Sequence, residues 1–224
     1  MTRFKDREKA LTLRKQGKSY SQIKKIIGVN KSTLHYWLKD YPLSKQRIRE
    51  LRDWNEQRIE KFRETMRAKK EKRLKQFYDE QKKLFLPLKN REVFLAGLFL
   101  YWGEGSKTKD SYLSVANTDP SVIKFFIYWL IKELMVPRKK LRIHLHLYSD
   151  MGIEEKIHFW SKKINVPRNQ FTKPYVKKNS SVNINRKGRF GHGTCCVNIG
   201  DARLSERILM TIKAISDYYG SKRA

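Results

Sequence analysis

The 224-residue chain carries 51 Lys and Arg against 22 Asp and Glu, a formal charge of +29 at pH 7. Each phosphate that such a surface neutralises releases condensed counterions, so the expected partner is a polyphosphate, and nucleic acid is the default among these. The sequence has no apolar run of the ~18 residues that a bilayer-spanning helix needs and no signal peptide, and its two cysteines, Cys195 and Cys196, are adjacent, without the spacing of a zinc knuckle or a redox pair. The expectation is one mid-sized domain plus a small one, in the cytoplasm or on the nucleoid, with no membrane partner.

In chain order, Lys5 to Gln16 places Ala10, Leu11 and Leu13 at near-helical spacing and stops at Gly17, a residue that can take the left-handed conformation of a helix end. Ser19 or Ser21 caps a second helix, Gln22 to Ile27, which ends at Gly28; Asn30 or Ser32 opens a third, which ends at Leu38. Ile23, Ile27, Val29, Leu34, Trp37 and Leu38 form the expected small core, and Asn30, Lys31, Ser32, Thr33, His35 and Tyr36 stay outside. The stretch SYSQIKKIIGVNKSTLHYWLKD resembles the helix-turn-helix of resolvases, transposases and many bacterial regulators. That resemblance implies double-stranded DNA as the partner, with those six residues facing the major groove. The competing reading is a trihelical protein-interaction module, which the donors on the third helix disfavour.

From Leu43 to Leu86, between Pro42 and Pro87, the chain is crowded with Lys, Arg, Glu and Gln and reads as one long helix or two. If continuous, it would reach roughly 60 Å at ~1.5 Å per residue. Ile48, Leu51, Ile59, Phe62 and Met66 share a stripe that Lys69, Lys70, Lys72 and Arg73 interrupt, so no sustained heptad seam is expected. A solvated helical arm whose cations meet phosphate is the reading, with a merely solvated face as its alternative.

The remainder reads as mixed helix and strand: a helix over Arg91 to Tyr101, a strand near Tyr112 to Ala116, a strand near Thr194 to Ile199 and a closing helix over Leu204 to Ser216. Between them lies a repeat. NTDPSVIKFFIYWLIKELMVPRKKLRIHLHL aligns with YSDMGIEEKIHFWSKKINVPRNQFTKPYV, each unit reading as cap, amphipathic helix, turn and strand, with Asp119 and Asp150 at the caps. In Leu141 to Tyr148 the alternation puts Ile143, Leu145 and Leu147 on one face and Arg142, His144, His146 and Tyr148 on the other. A basic, aromatic sheet face suits the major groove; two histidines at i and i+2 also raise metal ligation, for which no third ligand is identifiable. Lys177 to Gly193, carrying Lys177, Lys178, Arg186, Lys187 and Arg189, reads as a basic loop for phosphate. The architecture expected is α+β: a helix-turn-helix domain (1–40), a charged helical linker (41–88) and an α/β domain (89–220) with an antiparallel or mixed sheet covered by helices on one face.

In LAGLFLYWGEGSK, Leu95 to Lys107, a single carboxylate, Glu104, sits between two glycines at the end of an apolar helix. An acid adds no affinity for a polyanion, so its placement points to metal binding; the plainer reading is a helix end capped by Gly103 and Gly105. Leu95-Ala96-Gly97-Leu98 with Glu104-Gly105 resembles the motif of LAGLIDADG homing endonucleases. The resemblance implies a homodimer that brings two Glu104 side chains together. It further implies magnesium or another divalent cation on Glu104, hydrolysis of DNA phosphodiesters, and Lys107 at the same phosphate. The alternative is a catalytically inactive DNA-binding transcriptional regulator on the same scaffold. A transposase or recombinase would need either a nucleophilic Ser or Tyr or a spaced acidic triad, for which Glu104, Asp119 and Asp150 are a candidate set, and charge alone does not separate DNA from RNA.

Overall fold

The computed structural model describes residues 4–51, 54–107, 111–177 and 191–221. The chain divides into two compact units, Met1–Leu86 and Pro87–Ala224, and the fold is α+β. The first unit is helical: α1 Phe4–Lys15, α2 Tyr20–Ile27, α3 Lys31–Leu38, α4 Lys45–Arg49 and α5 Trp54–Phe85.

Local chemistry sets the ends of the short helices. Ser19 caps α2 by a reciprocal box: its Oγ accepts from Gln22 N at 3.2 Å, and Gln22 Oε1 accepts from Ser19 N at 3.0 Å. Gly28 closes the helix at φ 74°, a conformation that an L side chain resists. Ala10, Tyr20, Ile23, Val29, Leu34 and Leu38 form a closed core between α1, α2 and α3, with Ile27 and Trp37 half-buried against it. Lys24 points to solvent.

The charged stretch is two helices, and the longer is not wholly a solvated arm. Glu56 and Glu60, near the start of α5, are 5% and 4% exposed. Glu60 takes a two-pronged ion pair from Arg14 of α1, Nη1 at 3.1 Å and Nη2 at 2.9 Å, and Glu56 accepts from Ser19 Oγ at 2.7 Å. This anchors α5 on the three-helix core. From Ala68 onward every residue of α5 is exposed; its 32 residues run roughly 48 Å.

The second unit runs α6 Asn90–Glu104, β1 Tyr112–Asn117, α7 Pro120–Lys132, β2 Arg142–Tyr148, α8 Ile153–Ile164, β3 Tyr175–Lys177, β4 Thr194–Gly200 and α9 Ala202–Gly220. The sheet order is β1-β4-β2-β3, antiparallel across the first two pairings and parallel between β2 and β3, so the sheet is mixed. Leu113, Val115, Ile143, Leu145, Leu147, Cys195, Val197 and Ile199 turn inward and pack with α6 to α9 around Trp129, Trp160, Tyr101 and Phe126. Their neighbours along each strand face away from that core.

The sequence repeat is a structural one. After α7 and after α8 a non-glycine residue takes the left-handed conformation, Met135 at φ 54° and Asn165 at φ 53°. Val-Pro-Arg follows, then a 3-10 turn, Arg138–Lys140 or Arg168–Gln170. Gln170 Nε2 donates to Arg138 O at 2.8 Å and to Leu141 O at 2.9 Å, tying the second turn to the first. Asp119 is the N-cap of α7, accepting from Ser121 N at 2.9 Å. At α8 the N-cap is Gly152, not Asp150, because the helix starts at Ile153, beyond the reach of a cap at that position.

Candidate nucleic-acid interface

In the first unit, the residues expected outside the three-helix core are there. Asn30 caps α3 through its extended backbone without a side-chain hydrogen bond. Asn30, Ser32, His35 and Tyr36 are exposed, Tyr36 at 73%, while Lys31 and Thr33 are half-buried. The unexpected participant is α5, which runs back beside α3. Arg63 Nη1 lies 2.8 Å from His35 Nδ1, and Arg67 Nη2 donates to Lys39 O at 2.6 Å. A cleft of about 1100 Å³ lies between the two helices, lined by Lys31, Lys39, Arg58 and Arg67 with Phe62 and Met66. Burial first, then the charges of Arg63, Arg67 and Lys39, holds the His35 imidazole below its ordinary value of 6.5. No sequence signal revealed this role for α5, since the pairing joins residues far apart in the chain.

In the second unit, Arg142, His144, His146 and Tyr148 share the sheet face turned away from the core. Register adds neighbours that sequence reasoning missed: Ala116, Cys196 and His144 form one row, Thr194, His146 and Tyr175 the next, and Ser114, Asn198 and Arg142 flank them. Lys177 lies beside Tyr148 at the end of β3. The rings of His144 and His146 are 5.1 Å apart, and Tyr175 stands edge-on to His146 at 5.7 Å. His144 Nδ1 meets Thr172 Oγ1 at 3.0 Å. Burial, then the neighbouring His146, pulls His144 below 6.5, so it is a neutral donor and acceptor near pH 7. Arg142 spends Nη1 on the carbonyls of Lys139 and Leu141, at 2.8 and 3.0 Å. Cys195 is buried, its thiol pushed well up by desolvation, and serves the core. Lys178, Arg186, Lys187 and Arg189 lie outside the described residues.

Glu104 is the last residue of α6, and Gly105 its C-cap in an extended conformation, φ −76° and ψ 148°. Gly103 therefore lies inside the helix and is no cap. Gly105 is required by contact instead: a Cβ there would sit 2.4 Å from both Tyr101 Cδ2 and Tyr101 O. The Glu104 carboxylate is exposed and accepts from Asn117 Nδ2 at 3.2 Å. Asn117 Oδ1 is taken by Asp119 N at 2.8 Å. Lys107 turns back toward the end of α6, Nζ donating to Gly105 O at 2.8 Å.

Comparison of the chain with protein-family models, curated proteins and solved structures returns no match.

Among the described residues no group of three or more His, Cys, Asp or Glu is gathered so as to hold a metal ion. Glu104 is not brought together with Asp119 and Asp150 as an acidic set, and His144 with His146 gains no third such ligand. Among the described residues no helix is long and apolar enough to cross a membrane.

Proposed function

We propose that this chain binds double-stranded DNA with sequence preference, its first unit acting as a helix-turn-helix that lays α3 in the major groove. The observation that carries the reading is α3 itself. Ser32, His35 and Tyr36 project from a helix whose opposite side, Leu34 and Leu38, is sealed in the core, with Asn30 free at its N-terminus. Hydrogen-bonding side chains on the first turns of a braced helix are what base-edge readout requires. The open sheet face, with Arg142, His144, His146, Tyr148 and Lys177, supplies a second polar surface for the same class of partner, and the +29 charge supplies the sequence-independent attraction. The test is selection from a randomised duplex library followed by sequencing. Enrichment of a motif is the expected result, and recovery without a motif would leave only non-specific binding.

A second reading, a homing-type endonuclease, has one observation in its favour: an exposed carboxylate at a helix end, with Lys107 three residues on. One copy offers a single ligand position for magnesium, the Glu104 carboxylate, because the neighbouring Asn117 Oδ1 already accepts from Asp119 N and the Lys107 ammonium has no lone pair to offer. A bound divalent cation would supply Lewis acidity at phosphate, with a second copy contributing its own Glu104. Incubation of duplex with and without Mg²⁺, comparing the wild type with Glu104→Gln, separates the readings. New ends that depend on both magnesium and Glu104 support the endonuclease; binding without ends supports the regulator.

A further inference from the structure

Arg63 stands outside the reading helix, yet it controls the chemistry of a residue on it. A guanidinium has five N–H donors and no acceptor, and it does not deprotonate in a protein. Arg63 Nη1 lies 2.8 Å from His35 Nδ1, so Nδ1 must be the acceptor. The imidazole is then neutral, and its one proton sits on Nε2.

The contact is braced rather than incidental. The Arg63 guanidinium lies over the Tyr20 ring at 3.9 Å, with Arg14 at 4.5 Å from the same ring. Arg14 is locked by Glu60, and Tyr20 is 2% exposed. The Tyr20 ring also stands 6.4 Å from the His35 ring. Arg63 is thus held by a buried aromatic of α2 while its free edge meets α3. Burial and then the positive charges of Arg63, Arg67 and Lys39 oppose a second proton on the ring, although Asp40 and Glu71 also line the cleft beside it. His35 itself is exposed.

Resting on the helix-turn-helix reading above, we propose that Arg63 of α5 is a positioning residue for base recognition. It fixes His35 with Nδ1 occupied and Nε2–H presented outward, so that α3 offers a donor at this position and selects a major-groove acceptor. Guanine O6 and N7, adenine N7 and thymine O4 are such acceptors; the cytosine amino group, a donor, is rejected. An unbraced histidine could serve either kind of base by exchanging tautomers. The braced one cannot, and α5 thereby belongs to the reading surface.

The test combines a measurement without DNA and one with it, on the full chain. Nitrogen-detected NMR of the imidazole should show His35 as a single neutral tautomer, Nε2 protonated and Nδ1 bare. In Arg63→Met the proton should redistribute over both nitrogens, and the histidine should titrate at higher pH. Arg63→Lys, which still only donates, should restore part of the wild-type pattern. In duplex selection, Arg63→Met should lose roughly fivefold of the preference at one base pair, the scale of one net hydrogen bond, with the other positions unchanged. Lys75→Met, the charge-matched control on the exposed part of α5, should weaken all sequences alike. A wild-type His35 protonated on Nδ1, or an Arg63→Met variant with unaltered preference, overturns the inference. A wild type that binds no duplex overturns the underlying reading instead and removes base selection with it, while the NMR result still judges the Arg63 contact.

Discussion

Glu60→Ala should loosen the first unit far more than any surface substitution, and the hydrogen bonds around it set the size. Glu60 and Arg14 are each 4% exposed. Glu60 accepts two bonds from Arg14 and one from Tyr20 N at 3.2 Å, while Arg14 keeps two carbonyl contacts, Tyr41 O at 2.8 Å and Lys18 O at 3.1 Å. Truncation leaves a guanidinium in a dry site with no counter-charge and a backbone N–H without its acceptor. Breaking such a pair costs about 3–5 kcal/mol, a large share of a domain's typical stability of ~5–15 kcal/mol. Because the chain holds two units, a single denaturation midpoint would mix their unfolding; amide hydrogen exchange resolved by segment reads the first alone. Exchange in α2 and α3 should accelerate roughly a hundredfold to several thousandfold, as opening free energy falls by that amount. Replacing both partners, Arg14→Met with Glu60→Leu, should recover most of the protection, because the cost lies in the stranded charge. Acceleration below about tenfold, or a double variant as unprotected as the single one, would refute the assignment. The exposed Lys213–Asp217 pair, 63% exposed on both sides, serves as the contrast, with no measurable loss expected.

Gly97→Ala should destabilise the second unit by about 1–3 kcal/mol, read as faster amide hydrogen exchange in α6 and α7. The new Cβ would fall 2.1 Å from Trp129 Cδ1, and that indole is held by its bond to Phe94 O at 3.1 Å; unchanged exchange in these helices would refute the close packing. The folded-state values of His35, His144 and His192 lie below 6.5, so the unfolded chain takes protons first: stability should be full above that pH and fall as pH drops through 6.5 toward the folded values. Thermal melts that stay level across this window would contradict it. Duplex affinity should fall roughly a thousandfold between low and moderate salt if about six phosphates are contacted, and a flat salt response would show that the net charge is not the source of attraction.

Much of the architecture is legible in the sequence where the determinant is local. Gly17 and Gly28 mark helix ends where they act, the start of α2 is narrowed to Ser19 or Ser21 with the structure selecting Ser19, and the alternation in Leu141 to Tyr148 fixes the inward face of β2. The repeat is legible because Val-Pro-Arg recurs after the same left-handed turn. What escapes is long-range. Nothing near Glu60 announces that Arg14, 46 residues away, will bury it. The helical period of α5 shows an apolar stripe, yet Phe62 and Met66 on that stripe are exposed while the two acids are buried. Likewise β4 contributes Cys196 and Asn198 to the open face by register alone, and the parallel partnership of β2 with β3 follows from the α8 crossover, which no single segment encodes.

The site around Glu104 is where local pattern and tertiary packing part company. In a helix meant to meet its own copy, a glycine allows the closest approach. In α6 that glycine is already used: Gly97 is buried, and the space a Cβ would take is filled by Trp129 of the same copy. The side of α6 left to solvent carries Phe99, 50% exposed and stacked on Trp102 at 5.9 Å. A second copy approaching there would meet aromatic rings, which hold helix axes toward the ~10 Å end of the usual range rather than ~8 Å. Two Glu104 carboxylates on such a pair would be set further apart than small residues would allow, each already leaning on its own Asn117. The packing of α6 therefore weighs against a cation shared between two Glu104 side chains of paired copies.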